Sequence, residues 1–370
     1  MNLKTRQIDF WLVLTIILLL GLGTMMVFSS STAAAHDKMD DSYALLTKQL
    51  IWAVLGIIVM FAVSLVDYRW LAKFTLPIFG VSLGLLVIVL IPGVGIVLNN
   101  ARRWLGYGGL TVQPSEIMKL AAVMLFAYLF TNPKYSRYMK KLSGFIICLL
   151  IIGVISGLLY LEPHISCVVI IAFVCVVLMY LGGVKLRYFL VLGGFGGAFA
   201  VVAFITLNHV RERVLAFLNP FAYASDDGYQ VVQSLLAIGS GGLFGKGLGQ
   251  SVQKYLYLPE PYNDFIFAIL AEELGFVGVA VVIALFAVFI WRGYKISIHA
   301  PDRYGTLLAA GITTIIAVQV LMNLAVVTSS MPVTGVSLPF FSYGGSSLLI
   351  MMINMGILLN ISKNADYNKF

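Results

Sequence analysis

The chain has 370 residues, of which 60% are hydrophobic and 11% are charged, and its mean hydropathy is +0.97. Soluble domains carry about 25% charged residues, so this composition excludes a soluble globule and predicts an integral membrane protein. The formal net charge of +8 does not indicate a nucleic-acid-binding protein, because Lys and Arg lie in short clusters between apolar runs, where the positive-inside rule accounts for them.

About ten apolar runs, each long enough to cross a bilayer, predict an all-α polytopic membrane protein. The first run lacks a small-residue cleavage site, so we expect it to remain as a helix and not to be removed as a signal peptide. The cysteines lie inside apolar runs without ligand spacing, which argues against a disulfide framework and a zinc site. The runs begin near Phe10, Leu50, Phe74, Pro114, Leu142, His164, Leu186, Phe265, Tyr304 and Phe341.

The distribution of basic residues predicts the orientation of these helices. An even number of helices places both termini on one side, and Lys and Arg concentrate in the tails and in alternate connectors. The short connectors opposite hold only Lys38, Lys48, Arg102 and Arg103, so we expect both termini to be cytoplasmic. Residues 1–370 then form a single integral membrane domain, with a large extracytoplasmic loop of about residues 207–264 between the seventh and eighth helices.

That long loop is the most distinctive stretch of the chain, because long ordered loops are usually functional. It passes through a glycine run, Gly239–Gly249, which lacks the spacing of a nucleotide-binding loop and could let the backbone approach a lipid headgroup or an adjoining helix. It ends with a Pro-rich turn and Asp264, directly before an apolar helix. Asp264 could be a simple N-cap, or a partly desolvated carboxylate suited to general-base chemistry.

Two basic or charged motifs lie on the same predicted side as this loop. Arg102 and Arg103, beside Trp104, could bind phosphate oxygens, or they could form a basic loop anchored by an interfacial Trp. Glu116 and Lys119 stand three residues apart on one face of a helix that begins at Pro114. Because a lone charge at mid-bilayer costs about 2.5–3.5 kcal/mol, these two residues are expected to pair or to face a polar cavity.

Three further segments carry polar residues into apolar surroundings. The turn at Glu162-Pro163-His164 contains a histidine that we expect to be solvated, as most turn histidines are. The adjacent acids Glu272 and Glu273 cannot share a helix face, so at least one needs a partner elsewhere. Residues 331–347 contain two prolines, three glycines and four serines, which predicts a re-entrant or cavity-lining loop.

Three blocks of sequence resemble the SEDS family of bacterial cell-wall proteins, which comprises FtsW, RodA and SpoVE. These blocks are RRWLGYGGLTVQPSEIMK, GLFGKGLGQSVQKYLYLPEPYNDFIFAILAEELGFVG and PVTGVSLPFFSYGGSS. Thr334 and Ser337 in the last block are more similar to FtsW or SpoVE than to RodA. The resemblance extends from about Phe10 to Ser362 and implies a peptidoglycan glycosyltransferase that polymerises lipid II outside the cytoplasmic membrane, beside a class B penicillin-binding protein.

The resemblance also implies roles for individual residues. The family's essential loop Asp falls on Asp264 as the catalytic residue, its Arg before Trp falls on Arg103, and its helical Glu and Lys fall on Glu116 and Lys119. Many relatives read Gln-Pro-Asp-Leu-Gly-Thr where this chain reads Glu162–Cys167, which loses an acid and a glycine. The expected substrate-binding residues are Arg102, Arg103, Trp104, Glu116, Lys119, Lys246, Gln250, Glu260, Ser342, Tyr343 and Ser346.

In the implied reaction, Asp264 takes the proton from the acceptor hydroxyl in a single inverting displacement, while Arg103, with Arg102 or Lys246, stabilises the departing diphosphate. A divalent cation, Mg²⁺ or Mn²⁺, could share this task, although no ligand cluster identifies its site. Two alternatives stay open: a lipid II flippase, and a non-catalytic scaffold of the cell-wall synthesis complex. Division, sporulation and elongation are not distinguished, and other membrane proteins of these complexes are further expected partners.

Overall fold

The computed structural model describes residues 8–39, 43–98, 101–107, 110–206, 215, 217–223, 228–255, 257–259 and 261–367. The α-helices among them are α1 (Phe10–Met39), α2 (Ala44–Leu65), α3 (Arg69–Leu90), α4 (Pro114–Thr131), α5 (Ser136–Met139), α6 (Leu142–Leu161), α7 (Ile165–Gly182), α8 (Leu186–Thr206), α9 (Tyr229–Ser240), α10 (Ile266–His299), α11 (Arg303–Val327) and α12 (Gly345–Asn364). A 3₁₀ helix covers Pro220–Tyr223, and three strands, β1 (Ile96–Leu98), β2 (Ala101–Tyr107) and β3 (Leu110–Val112), complete the described elements.

The helices agree with the predicted membrane spans. Within the described part of the chain, nine helices are long and apolar enough to cross a membrane, namely α1 to α4, α6, α7 and α10 to α12. The remaining predicted run is also helical, because it forms α8. Boundaries differ by a few residues, since the second helix begins at Ala44 and not near Leu50. The chain is therefore an all-α polytopic protein, and its orientation stays a prediction from charge.

Helix α11 forms the centre of the bundle and packs against α4, α7, α10 and α12. Most of its residues are apolar and buried, the pattern of a helix enclosed by others. The hydroxyls of Thr313 and Thr314 donate to the carbonyls of Ala309 and Ala310 at 2.8 and 2.7 Å, so these polar groups are satisfied within the helix. By contrast, α2, α3 and α10 carry many exposed apolar side chains, which suits a lipid-facing perimeter.

A small antiparallel sheet in the order β1-β2-β3 occupies the connector between α3 and α4. Ile96 pairs with Trp104 across the first ladder, and Leu105 pairs with Val112 across the second. The sequence predicted a basic loop here and not a sheet, because strands this short leave little periodicity to detect. The sheet fixes Arg103 relative to α4, since β3 leads into that helix through Pro114, which fits the first helical turn.

The glycine run packs against the first part of α10. Gly275 interrupts this helix with φ +65°, and the N–H groups of Lys246 and Gly247 donate to the carbonyls of Glu272 and Glu273, both at 3.0 Å. A Cβ at Gly245 would lie 2.1 Å from the Glu273 carbonyl oxygen, so no larger residue fits there without a shift. Of the two expected uses of the glycines, the structure therefore shows close approach to an adjoining helix.

The loop between α11 and α12 is anchored by buried aromatic residues. Phe340 and Phe341 are fully buried and pack against Phe289 and Phe286 of α10 with ring centroids 6.1 and 6.0 Å apart. On the other side, a Cβ at Gly23 of α1 would lie 2.2 Å from the Phe340 carbonyl oxygen. These contacts hold the loop inside the protein, as predicted for irregular backbone at membrane depth.

Candidate functional site

Asp264 lies in the turn before α10, with its main chain held by an amide from α11. The Asn323 Nδ2 atom donates to the carbonyls of Asp264 and Val336, both at 2.7 Å. The N-cap position of α10 is Phe265, which makes no side-chain capping bond, so the interpretation of Asp264 as the N-cap is wrong. The carboxylate lies against Gly335, where a Cβ would be 3.2 Å from Asp264 Oδ2 and where φ is +63°.

The loop before α12 forms the second support of this turn. The Ser342 hydroxyl donates to the Asn263 carbonyl at 2.8 Å and accepts from the Leu338 N–H at 2.8 Å. The Tyr343 N–H donates to the Tyr262 carbonyl at 3.0 Å, and the two tyrosine rings meet edge to face with centroids 6.3 Å apart. Asp264 is therefore positioned by residues far apart in the chain.

Arg103 extends from β2 towards the turn between α6 and α7. Its Nε donates to the Glu162 carbonyl at 3.1 Å, and its Nη2 donates to the Pro163 carbonyl. Burial lowers the pKa of Arg103, while attraction to the Asp264 and Glu162 carboxyls opposes that shift. The guanidinium stays charged, because arginine remains protonated in proteins. It is close enough to Asp264 for the two charges to attract each other.

Glu116 and Lys119 form the expected ion pair, with Oε1 and Nζ 2.8 Å apart and with both side chains mostly buried. Two small cavities, of about 30 Å³ and about 20 Å³, border the pair. A water molecule needs roughly 10–15 Å³ of such space, so both cavities can be hydrated. Gln319 lines both cavities, and Asn354 lines the larger. The pair therefore faces polar space, as the sequence predicted.

The turn between α6 and α7 adds His164 to the smaller cavity. Its Nδ1 lies 3.5 Å from Gln113 Nε2, and burial, with the nearby charges of Arg103 and Lys119, lowers its pKa to about 3. The expectation of a solvated turn histidine is wrong, because the ring is half-buried and neutral. Ser166 donates to the Thr334 carbonyl and joins this turn to the loop before α12.

We call the group of Arg103, Glu116, Lys119, Glu162, His164, Asp264 and Asn323 the Asp264 site. Several buried polar atoms close to it have no hydrogen-bond partner among the described residues, including Ser115 Oγ, Asn323 Oδ1, Thr334 Oγ1, Ser346 Oγ and Asn354 Oδ1. Unsatisfied buried polar groups are rare in native proteins and call for water or a ligand. A carboxylate, a guanidinium and unpartnered acceptors around small cavities suit an anionic, hydroxyl-bearing ligand.

The family model for cell cycle proteins of the FtsW, RodA and SpoVE type matches residues 10–367. The chain belongs to this family. Stage V sporulation protein E of Bacillus subtilis (strain 168) is 42% identical over 367 residues, which cover 99% of this chain and 100% of that protein. A protein of Trichlorobacter lovleyi named probable peptidoglycan glycosyltransferase FtsW is 38% identical over 359 residues, which cover 97% of this chain and 94% of that protein.

Solved structures of family members have the same fold. A chain from the work described as "Structural coordination of polymerization and crosslinking by a peptidoglycan synthase complex" has a TM-score of 0.79 at 28% identity, and the match covers 96% of this chain and 97% of that one. The Rod shape determining protein RodA of Thermus thermophilus has a TM-score of 0.72 at 28% identity, with 98% of both chains covered. This FtsW/RodA/SpoVE member is thus a multi-pass protein of the cytoplasmic membrane.

Other residues expected to bind substrate lie away from Asp264 or on its margin. Arg102 Nη1 donates to the Leu90 carbonyl at 3.0 Å, so this arginine anchors the end of α3. Trp104 is half-buried on β2, Ser346 is buried at the start of α12, and Gln250 is exposed on the glycine run. Glu260 lies outside the described residues.

Lys246 takes part in a second polar group, which we call the loop ion cluster and define as Lys246, Ser251, Lys254, Glu272 and Glu273. Lys246 Nζ lies 2.7 Å from Glu272 Oε1, and Lys254 Nζ lies 3.1 Å from Glu273 Oε1. The prediction that at least one acid finds a partner elsewhere is confirmed, since both pair with lysines of the preceding loop. Lys246 thus neutralises Glu272, and its expected role at the diphosphate stays a prediction.

Two residues of the site were missed in the sequence. Gln319 and Asn323 stand four residues apart in α11, one turn of a helix, and both face the site region. Amide side chains in an otherwise apolar span are expensive and mark functional positions. A pair of amides at this spacing was therefore a usable signal.

Proposed function

We propose that this protein is a peptidoglycan glycosyltransferase that polymerises lipid II at the outer face of the cytoplasmic membrane. The observation that carries the proposal is the convergence of Asp264 and Arg103 beside the Glu116–Lys119 pair, which borders small polar cavities. This arrangement occurs in a chain that is 38% identical to a protein named probable peptidoglycan glycosyltransferase FtsW.

The proposed reaction joins the 4-hydroxyl of an acceptor GlcNAc to the anomeric carbon of a lipid-linked donor chain. Asp264 takes the hydroxyl proton as the new C–O bond forms, and the bond from the anomeric carbon to the diphosphate oxygen breaks in the same displacement. The anomeric configuration inverts, and no covalent enzyme intermediate is formed. Arg103 stabilises the negative charge that grows on the departing diphosphate.

The remaining site residues position these two groups. Asn323 and Ser342 hold the main chain at Asp264 and Asn263, so the carboxylate has little freedom to move. The Glu116–Lys119 pair supplies charged hydrogen-bonding groups at the edge of the cavity. Such preorganisation matters because a displacement of about 1 Å in a reacting group can lower the rate roughly 100-fold.

The side chains of the Asp264 site do not by themselves form a binding site for a divalent cation. Among the described residues, no three His, Cys, Asp or Glu side chains come together as a metal site would require. Asp264 and Glu116 are each near a cation of the chain itself, Arg103 and Lys119. No step of the proposed reaction is therefore assigned to a metal.

We also propose that the protein works beside a class B penicillin-binding protein. The described elements include no soluble domain that could cross-link peptides, so a transpeptidase must act on the strands made here. The match to a chain of a peptidoglycan synthase complex, with TM-score 0.79, supports this proposal.

The test is polymerisation of purified lipid II by the purified protein, alone and with the candidate transpeptidase. We expect glycan strands from the complex, fewer strands from the protein alone, and none from Asp264→Asn. Transport of lipid II across vesicles without polymerisation would favour the flippase, and association with the transpeptidase without either activity would favour the scaffold.

A further inference from the structure

Glu162 is the most unusual acidic residue of the Asp264 site. Its side chain is 0% exposed, and neither carboxyl oxygen has a hydrogen-bond partner among the described residues. A buried carboxylate without partners is strongly disfavoured, whereas the protonated acid tolerates the same surroundings much better. The position therefore selects the neutral form of the carboxyl.

Arg103 lies close to Glu162 but makes no hydrogen bond to its carboxyl oxygens. Arg103 directs its Nε and Nη2 donors to the carbonyl oxygens of Glu162 and Pro163. Backbone carbonyls fix the guanidinium without cancelling its charge, while a bidentate carboxylate would neutralise it. The Arg103 charge is thus held in place and left available to Asp264 and to the cavity.

Apart from Arg103, the charged or titratable groups around Glu162 do not stabilise its ionised form. Arg103, from β2, is the cation that acts on it. From the same turn, His164 is neutral, and from α7 the buried free cysteine Cys167 lies within electrostatic reach of Glu162. Burial raises the pKa of Glu162 to about 8, against the attraction of Arg103.

We propose that Glu162 is a positioning residue whose neutral carboxyl leaves the Arg103 charge free for the diphosphate of the donor, and whose ionisation withdraws that charge. The ligand named here rests on the proposed function. Two opposite charges at contact distance in a partly desolvated site attract strongly. An ionised Glu162 would therefore turn Arg103 away from the diphosphate oxygens.

The sign of the pH dependence follows from this arrangement. Below about pH 8 Glu162 is protonated, and Arg103 acts on the ligand with its full charge. As the pH rises through about 8, Glu162 ionises and the affinity for the diphosphate falls. Because Gln has nearly the shape of a protonated Glu and cannot ionise, Glu162→Gln should remove this alkaline fall.

The first experiment observes the carboxyl itself and does not need activity. Infrared difference spectra of the protein in nanodiscs are recorded between about pH 6 and about pH 10. We expect the carbonyl stretch of a buried protonated carboxyl to disappear as the pH rises, and to be absent at every pH in Glu162→Gln. An unchanged spectrum in Glu162→Gln would overturn the inference.

The second experiment measures how tightly a polyprenyl diphosphate binds at about pH 7 and about pH 9. We expect the dissociation constant of the wild type to rise roughly tenfold between these values, as for the loss of one charge-assisted contact. The ratio should be near one in Glu162→Gln. Asp67→Asn, which removes an exposed carboxylate from the connector between α2 and α3, serves as the control and should keep the wild-type ratio.

Glu162→Met provides a second neutral variant of similar volume if Glu162→Gln gives too little folded protein. A wild-type pH ratio in either folded variant would refute the role of Glu162. If the spectra and the binding ratios agree with expectation but lipid II is not polymerised at any pH, the proposed function fails while the inference on Glu162 and Arg103 stands.

Discussion

The loop ion cluster and the Asp264 site are both built from buried charges, but they differ in how completely those charges are satisfied. In the loop ion cluster, Glu272 accepts from Lys246, Ser251 and two backbone N–H groups, and Glu273 accepts from Lys254, Ser29 and the Ser251 N–H. In the Asp264 site, by contrast, the Glu162 carboxyl oxygens and Asn323 Oδ1 are buried without a hydrogen-bond partner among the described residues. A saturated network rigidifies a fold, whereas an unsaturated one is ready for a ligand.

The largest effect should follow from Asp264→Asn. Asn keeps the size of the side chain but cannot accept the proton, so we expect polymerisation of lipid II to fall by ~10²–10⁴-fold while folding and binding persist. Asp264→Glu should also retain little activity, because its carboxylate is displaced by about 1 Å. Strand synthesis on gels gives the rate, and Asp67→Asn is the matched control. A near wild-type rate in Asp264→Asn would remove the general base from the proposal.

The next effect concerns stability and should appear in the loop ion cluster. Lys254→Met leaves the fully buried Glu273 without its cation, so we expect a loss of roughly 3–5 kcal/mol in the free energy of unfolding. Lys246→Met should be milder, because the Lys246 side chain is 34% exposed and Glu272 keeps its other donors. Thermal unfolding in detergent compares the two variants. Equal losses would contradict the distinction drawn between these lysines.

A smaller effect is expected from the coupling of Glu116 and Lys119. Each alanine variant strands the other charge, whereas the double variant strands none. We therefore expect Glu116→Ala and Lys119→Ala each to reduce activity or folded yield, with a favourable coupling of about 0.5–3 kcal/mol in the double variant. A double-mutant cycle on the rate and on the unfolding midpoint measures this coupling. Additive effects would mean that the 2.8 Å pair has no energetic role.

The smallest effect should come from Ser342→Ala. This change removes the hydroxyl that bridges Asn263 and Leu338, at a cost of about 0.5–1.5 kcal/mol, and should slow polymerisation up to about tenfold. The control is Thr328→Ala, since the exposed Thr328 hydroxyl bonds within its own helix. Equal rates in both variants would show that the bridge does not position Asp264.

The sequence was sufficient for the fold because each predicted run of apolar residues must form a helix in lipid, where every backbone group needs an internal partner. It also predicted that Glu116 and Lys119 share one face of a helix, since that contact depends only on helical spacing. It could not show that His164 is half-buried or that Lys246 pairs with Glu272, because both depend on which connectors meet in three dimensions. The N-cap interpretation of Asp264 depended on a boundary, the least reliable feature of such analysis.

The left-handed residue Gly275 has a consequence for how the protein is made. It separates a first segment of α10, Ile266–Leu274, that is almost wholly enclosed by protein, from the later part that faces lipid. While the ribosome delivers α10, Glu272 and Glu273 lack their lysine partners until the preceding loop packs against the helix, and each bare charge at mid-bilayer would oppose insertion by about 2.5–3.5 kcal/mol. We therefore expect the preceding loop to pack against this first segment before α10 reaches its final position in the membrane.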